Sequence, residues 1–345
     1  MANAGNGARE AHRRRLAEAE SRLDADPRDL RALIAKADAL EGLGDGRSAA
    51  SFYSVALRTA GDGRGLPADI IADLRRAQGA ALAQAERFQA HIEDSLRVAG
   101  FDPSNSGRFA LSLDLMAGRK QLYQQQPLFY LFPGLPQIQF QPRDTVPWLA
   151  EVEQAAADIR GELEAVLAGP DVFRPYVEKR ENRPNGDTLG MIDNPDWSAL
   201  FLWKDGVEQP LAARCPRTME ALAGLPLCRV PGRTPSILFS KLAPGARIPP
   251  HHGLINTRLI CHLPLIAPSG SRFLVGNEVR EWTEGKAWAF DDTIEHEARN
   301  DSGQDRTILI FDVWKPELTG EERELVSTLF ESIDAYGAGG AAWGV

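Results

Sequence analysis

Two histidine positions and one arginine carry the clearest chemical pattern in this chain. The first lies in Pro249-Pro250-His251-His252-Gly253, the second closes Phe290-Asp291-Asp292-Thr293-Ile294-Glu295-His296, and Arg306 follows ten residues later. Imidazole is a good ligand for iron, so this layout suits a non-haem iron site on a small β-barrel. A planar guanidinium can bind a carboxylate through two parallel hydrogen bonds, so the arginine suits one end of a dicarboxylate co-substrate. Many iron oxygenases complete a two-His, one-carboxylate triad with an acid two residues after the first histidine. Counted from His251, that position is Gly253. Spacing alone does not decide between His251 and His252. The prolines before them favour an extended entry, and adjacent strand residues point to opposite faces, so one can face a metal while the other faces solvent or substrate.

The strands that must carry these residues are read from alternation. In the run 306–314, Arg306, Ile308, Ile310, Asp312 and Trp314 share one face, opposite Thr307, Leu309, Phe311 and Val313. In 258–263, Arg258, Ile260 and His262 share a face opposite Leu259, Cys261 and Leu263. An arginine at the mouth of an apolar strand needs an anionic partner if buried; an internal acid or a ligand carboxylate would serve. His262 reads equally as a satisfied core histidine or a co-substrate contact. Arg258, His252, Trp197 and Trp203 are candidates for a substrate cleft, although packing is the commoner role for tryptophan.

The elements fall into two regions. Residues 1–8 are small and polar and are expected to be disordered; 9–120 read as helices, 121–145 as a connector, 146–335 as a β-rich domain and 336–345 as a tail. Asp26-Pro27 reads as a helix start, and Gly42-Leu43-Gly44-Asp45-Gly46 as a helix–helix turn. The stretch 26–60 resembles a single tetratricopeptide repeat, with helices at 66–99 continuing it, although a stable array normally needs three repeats. A helix is expected over 146–167. Beyond 187 come short strands separated by Gly, Pro, Asn and Asp, clearest at 236–242, 258–265, 271–275, 286–290 and 307–314, the signature of a sandwich or barrel. The expected fold is therefore α+β and multidomain, a helical, tetratricopeptide-like region followed by a double-stranded β-helix (jelly roll, cupin-like).

Composition narrows the classes. A net charge of −9 argues against a nucleic-acid partner, which would call for a basic footprint. No apolar run approaches bilayer length, and Met1–Gly7 lacks a signal-like pattern, so no membrane partner and a cytoplasmic location are expected. Cys215, Cys228 and Cys261 form no CxxC or zinc spacing and are expected to be free thiols.

Residues 240–318 resemble the catalytic core of the aspartyl/asparaginyl β-hydroxylase family, iron(II)- and 2-oxoglutarate-dependent oxygenases on a double-stranded β-helix. The resemblance rests on Phe239-Ser240, Pro250-His251-His252-Gly253, Asn256-Thr257-Arg258-Leu259, His262-Leu263, Gly285-Lys286, Phe290-Asp291-Asp292, Glu295-His296-Glu297, Arg306 and Asp312-Val313-Trp314-Lys315-Pro316-Glu317-Leu318. Upstream, Asp196-Trp197-Ser198 and Leu202-Trp203 also fit, so that it extends over about 130–330. It implies Fe(II), 2-oxoglutarate and O2 as cofactors and co-substrates, and it assigns His251 and His296 as the metal ligands. Ser240 and Arg306 fall on positions that bind the far carboxylate of 2-oxoglutarate, and His262 near its metal-binding end; Arg258 is grouped with them. Asp292, four residues before His296, is placed as a group acting beside the metal through water. Animal members have an arginine where this chain has Ile260, which puts the substrate in question, and they too join tetratricopeptide repeats to this domain.

The implied reaction is hydroxylation of a carbon next to a carboxylate or amide, with Asp or Asn in a peptide or protein, or a small-molecule analogue, as substrate. The N-terminal helices would take a protein partner. Competing readings are halogenation or lipid hydroxylation at the same site, and an inactive scaffold that binds through the helices.

Overall fold

The computed structural model describes residues 2–170, 172–179 and 190–336. The chain divides into two compact units, Met1–Gln121 and Leu122–Val345. Apart from Tyr336, the expected tail lies outside the described residues.

The first unit is helical. It comprises α1 (Ala2–Ala25), α2 (Leu30–Leu43), α3 (Gly46–Ala60), α4 (Ala68–Val98) and α5 (Gly107–Met116). Where disorder was expected over 1–8, α1 begins at Ala2; the Ala, Arg and Glu that follow are strong helix formers and outweigh two early glycines. The Asp26-Pro27 start is also displaced. Asp29 caps α2 by accepting from the Ala32 amide at 3.1 Å, and Asp26-Pro27 forms the turn before it. Gly44 then ends α2 with φ at +91°, a conformation glycine adopts at little cost. Asp45 caps α3. Leu33, Ile34, Ala37, Ala49, Tyr53, Ala56, Leu74 and Ala77 form the core of this unit.

The second unit opens with a strap where a connector was expected. Residues 122–145 belong to it, and the amides of Gln126 and Leu128 donate to the carbonyls of Thr293 and Gly253 at 2.7 and 2.9 Å. Phe140 bridges to Phe290. The helix expected over 146–167 is broken at Ala155 into α6 (Leu149–Gln154) and α7 (Ala156–Leu167), with Leu149, Val152, Ile159, Leu163 and Val166 on the buried face.

Eleven strands follow among the described residues: β1 (Arg174–Pro175), β2 (Trp197–Lys204), β3 (Val207–Glu208), β4 (Ile237–Leu242), β5 (Arg247–His251), β6 (Arg258–Ile266), β7 (Ser271–Val275), β8 (Glu278–Glu281), β9 (Trp288–Phe290), β10 (His296–Asn300) and β11 (Arg306–Trp314). Helix α8 (Pro216–Ala223) lies between β3 and β4, and α9 (Gly320–Ala335) closes the unit. The large antiparallel sheet runs β1-β2-β4-β11-β6-β9 with β3 on β2; the small one runs β5-β10-β7-β8. This is the two-sheet jelly roll. The alternation read from the sequence holds. Leu259, Cys261, Leu263, Leu309, Phe311 and Val313 pack into the core that includes α6, α7 and α8, while Arg258, Ile260, His262, Arg306, Ile308, Ile310 and Asp312 line the cavity inside the roll.

Candidate active site

The two histidines meet because β5 and β10 are neighbours. His251 is the last residue of β5, His296 the first of β10, and they pair directly across the ladder. Their ring centres are 4.0 Å apart. His251 Nδ1 lies 2.8 Å from the Pro249 carbonyl and His296 Nδ1 lies 3.0 Å from that of Ile294. With the proton on Nδ1 donated to each carbonyl, both Nε2 lone pairs are left for a metal, the usual way a second contact fixes the ligating tautomer. Burial pushes both imidazoles down from their ordinary pKa, His296 well down, with the neighbouring His251 adding to the effect on His296 and His252 to that on His251. Both are therefore neutral at physiological pH, as ligands must be. His252 also lines the cavity, with a buried Nε2 that has no partner.

The carboxylate absent from position 253 has a counterpart from another segment. A Cβ built on Gly253 would lie 2.2 Å from the Asp292 carboxyl carbon, so the Asp292 side chain already fills the space that a residue at 253 would enter. The Gly253 amide donates to the Asp292 carbonyl at 2.6 Å. Asp292 Oδ1 is buried without a partner among the described residues, and Oδ2 is 3.5 Å from Arg258. Burial raises its carboxyl to about 6, with Arg258 opposing the rise.

Two arginines reach the cavity, and they differ in charge balance. Arg258 Nη1 donates to Asp312 Oδ2 at 2.8 Å, and Asp292 lies on its other side. Arg258, also expected at the co-substrate, has its charge met by two internal acids. Arg306 is 1% exposed and has no acidic partner among the described residues. Its guanidinium carbon sits 4.7 Å over the Trp282 ring. Burial alone pulls it down to about 9. An isolated buried charge is costly, by several kcal/mol, and a ligand carboxylate would relieve that cost.

Ser240 on β4 receives a hydrogen bond from Trp197 Nε1 at 3.2 Å. His262 on β6 is 5% exposed, stands among Phe273, Phe290 and Trp282, and leaves Nδ1 without a partner. Burial and Arg306 hold it neutral. All seven site residues expected from the sequence (Ser240, His251, Arg258, His262, Asp292, His296 and Arg306) line one cavity of about 270 Å³. Trp197 lines it and Trp203 does not, packing instead into the outer core.

Sequence reasoning missed the far wall and floor of the cavity. Tyr176 stacks on Trp197, ring centres 4.2 Å apart, and lies parallel to Phe201 at 6.2 Å. Leu128 of the strap, Phe201 and Trp282 also line the cavity. None carried a local signal, because each arrives through pairing between distant segments.

Two neutral imidazoles leave their Nε2 atoms for a metal, and a buried arginine without an acidic partner among the described residues stands in the same cavity, a donor for a carboxylate.

Residues 153–316 match the model of the family described as aspartyl/asparaginyl beta-hydroxylase. The chain is 37% identical over 177 residues to the ornithine lipid ester-linked acyl 2-hydroxylase of Rhizobium tropici, covering 50% of this chain and 59% of that one. It is 31% identical over 212 residues to aspartate beta-hydroxylase domain-containing protein 2 of Homo sapiens, covering 60% and 55%. With human aspartyl/asparaginyl beta-hydroxylase it shares 40% over 131 residues, 37% of this chain and 17% of the relative. The matched part thus spans little more than half the length of the first two relatives.

Proposed function

We propose, on the match of residues 153–316 to the aspartyl/asparaginyl β-hydroxylase family, that the chain is an iron(II)- and 2-oxoglutarate-dependent dioxygenase. It hydroxylates a carbon next to a carboxylate or amide, with Asp or Asn of a peptide or protein as the leading substrate. The single observation that carries this reading is Arg306, a buried cation with no acidic partner among the described residues, in the cavity that holds the paired histidines.

When bound, iron(II) with 2-oxoglutarate and O2 supplies the oxidising power to convert C–H to C–OH, with succinate and CO2 as co-products. His251 and His296 would hold the metal through Nε2. Arg306 and Ser240 would hold the far carboxylate of the co-substrate, and neutral His262 would stand beside it. Asp292, with Oδ1 unpaired, can accept a hydrogen bond from a bound water. The aromatic walls keep bulk water out, which strengthens every polar contact inside. The Asp292 carboxylate over Gly253 favours hydroxylation over halogenation, since a halide there would face a like charge.

A second reading, hydroxylation of a lipid acyl chain, is favoured by the apolar wall of Tyr176, Trp197, Phe201, Leu238 and Ile310 and by the Rhizobium relative. The helical unit exposes Leu82, Phe88 and Val98 on α4, which supports a partner-binding role for it.

The test is an anaerobic titration with iron(II) and then 2-oxoglutarate, followed by the visible charge-transfer band of the chelate. The band is expected in the wild type and absent from His251→Ala and His296→Ala. Folded wild-type protein without a band would sink the reading.

A further inference from the structure

Trp282 arrives from the connection between β8 in the small sheet and β9 in the large one. Its ring lies 4.7 Å from the Arg306 guanidinium carbon and 6.2 Å from the His262 ring. Phe273 and Trp288 back it at 5.4 and 6.1 Å. Trp282 Nε1 and Arg306 Nε are both buried without hydrogen-bond partners among the described residues. A cation that must bind a carboxylate faces conflicting demands. It has to be buried and oriented, yet an internal acid that met its charge would compete for the same N–H groups. Arg258, held by Asp312 and Asp292, illustrates the pre-empted case. An aromatic face attracts a cation most strongly when both are desolvated, and it accepts none of the in-plane N–H groups.

We propose that Trp282 is a positioning residue for the co-substrate: its π face holds Arg306 oriented in place of an acid, leaving the guanidinium edge for the far carboxylate. This rests on the 2-oxoglutarate reading above. A role confined to packing would disturb the fold or weaken all ligands alike, whereas this role acts through one carboxylate.

The experiment compares binding of 2-oxoglutarate with that of 2-oxopentanoate, which lacks the far carboxylate, to the full chain loaded with Mn(II), read by calorimetry. Trp282→Leu is expected to bind 2-oxoglutarate roughly ten-fold weaker, with affinities for 2-oxopentanoate and Mn(II) held within about two-fold. Trp282→Phe keeps a ring and is expected to lose about three-fold for 2-oxoglutarate only. Undiminished 2-oxoglutarate affinity in Trp282→Leu, or equal loss for both oxo acids, overturns the proposal. If the leucine variant does not fold, the phenylalanine variant decides, and the absence of a selective loss there overturns it too. A wild type that binds Mn(II) but no 2-oxoglutarate would overturn the functional reading, and this inference with it.

Discussion

Arg306 shows how one residue type acquires two meanings in the same cavity. It and Arg258 carry the same group, but Arg258 faces Asp312 and Asp292 while Arg306 faces an aromatic ring. The consequence is measurable in pH. Arginine ordinarily stays protonated far above neutrality, but burial brings Arg306 down to about 9. The charged form is the one that holds a carboxylate. Affinity for 2-oxoglutarate should therefore be flat through neutral pH and fall as pH rises through about 9, while 2-oxopentanoate shows no matching fall there. An affinity for 2-oxoglutarate that stays constant to pH 10 would mean that Arg306 keeps its proton there, and that burial does not bring it down to about 9.

Among the elements, the ends of β5 and β10 decide the proposed metal site. Antiparallel pairing puts His251 opposite His296, and the loop from β9 lays Asp292 over Gly253. The acid that other iron sites place in the first-histidine segment is here carried by the second. Restoring it should fail for steric reasons. Gly253→Asp is expected to destabilise the chain by about 1–3 kcal/mol, the usual range for overpacking, and Gly253→Asp combined with Asp292→Gly should recover most of that. Thermal unfolding of the two variants gives the answer, and a single variant as stable as wild type would refute the exchange. This swap was not legible in the sequence. The glycine could be seen, and Asp292 was a candidate, but the contact between them depends on two loops meeting.

At the scale of the whole molecule, the cavity is built entirely from the second unit. Its first lining residue is Leu128, beyond the division at Gln121. A chain of residues 122–345 should then bind Mn(II) and 2-oxoglutarate with affinities within about two-fold of the full chain, as expected for a unit with its own core. Isothermal titration of both forms checks this, and a much weaker short form would show that the helices support the site. Removing the strap as well, by starting at 146 as the expected domain boundary suggested, takes away amides that bond to Thr293 and Gly253. That form should bind poorly.

The sequence by itself determined the chemistry-bearing residues and the faces on which they lie. His251, His296 and Arg306 sit in short motifs, and the period of two in 258–263 and 306–314 is a local property of an extended chain, readable without knowing its neighbours. It also determined the order of helical and β-rich regions. Only the tertiary structure decided which charges are met and which are left open. Asp312 lies two residues beyond Ile310 on its strand, but its pairing with Arg258 depends on β11 lying beside β6. Trp282 reaches Arg306 across twenty-four residues of chain. Such contacts are set by sheet order and by how two sheets close on each other, and no periodicity along the chain encodes them.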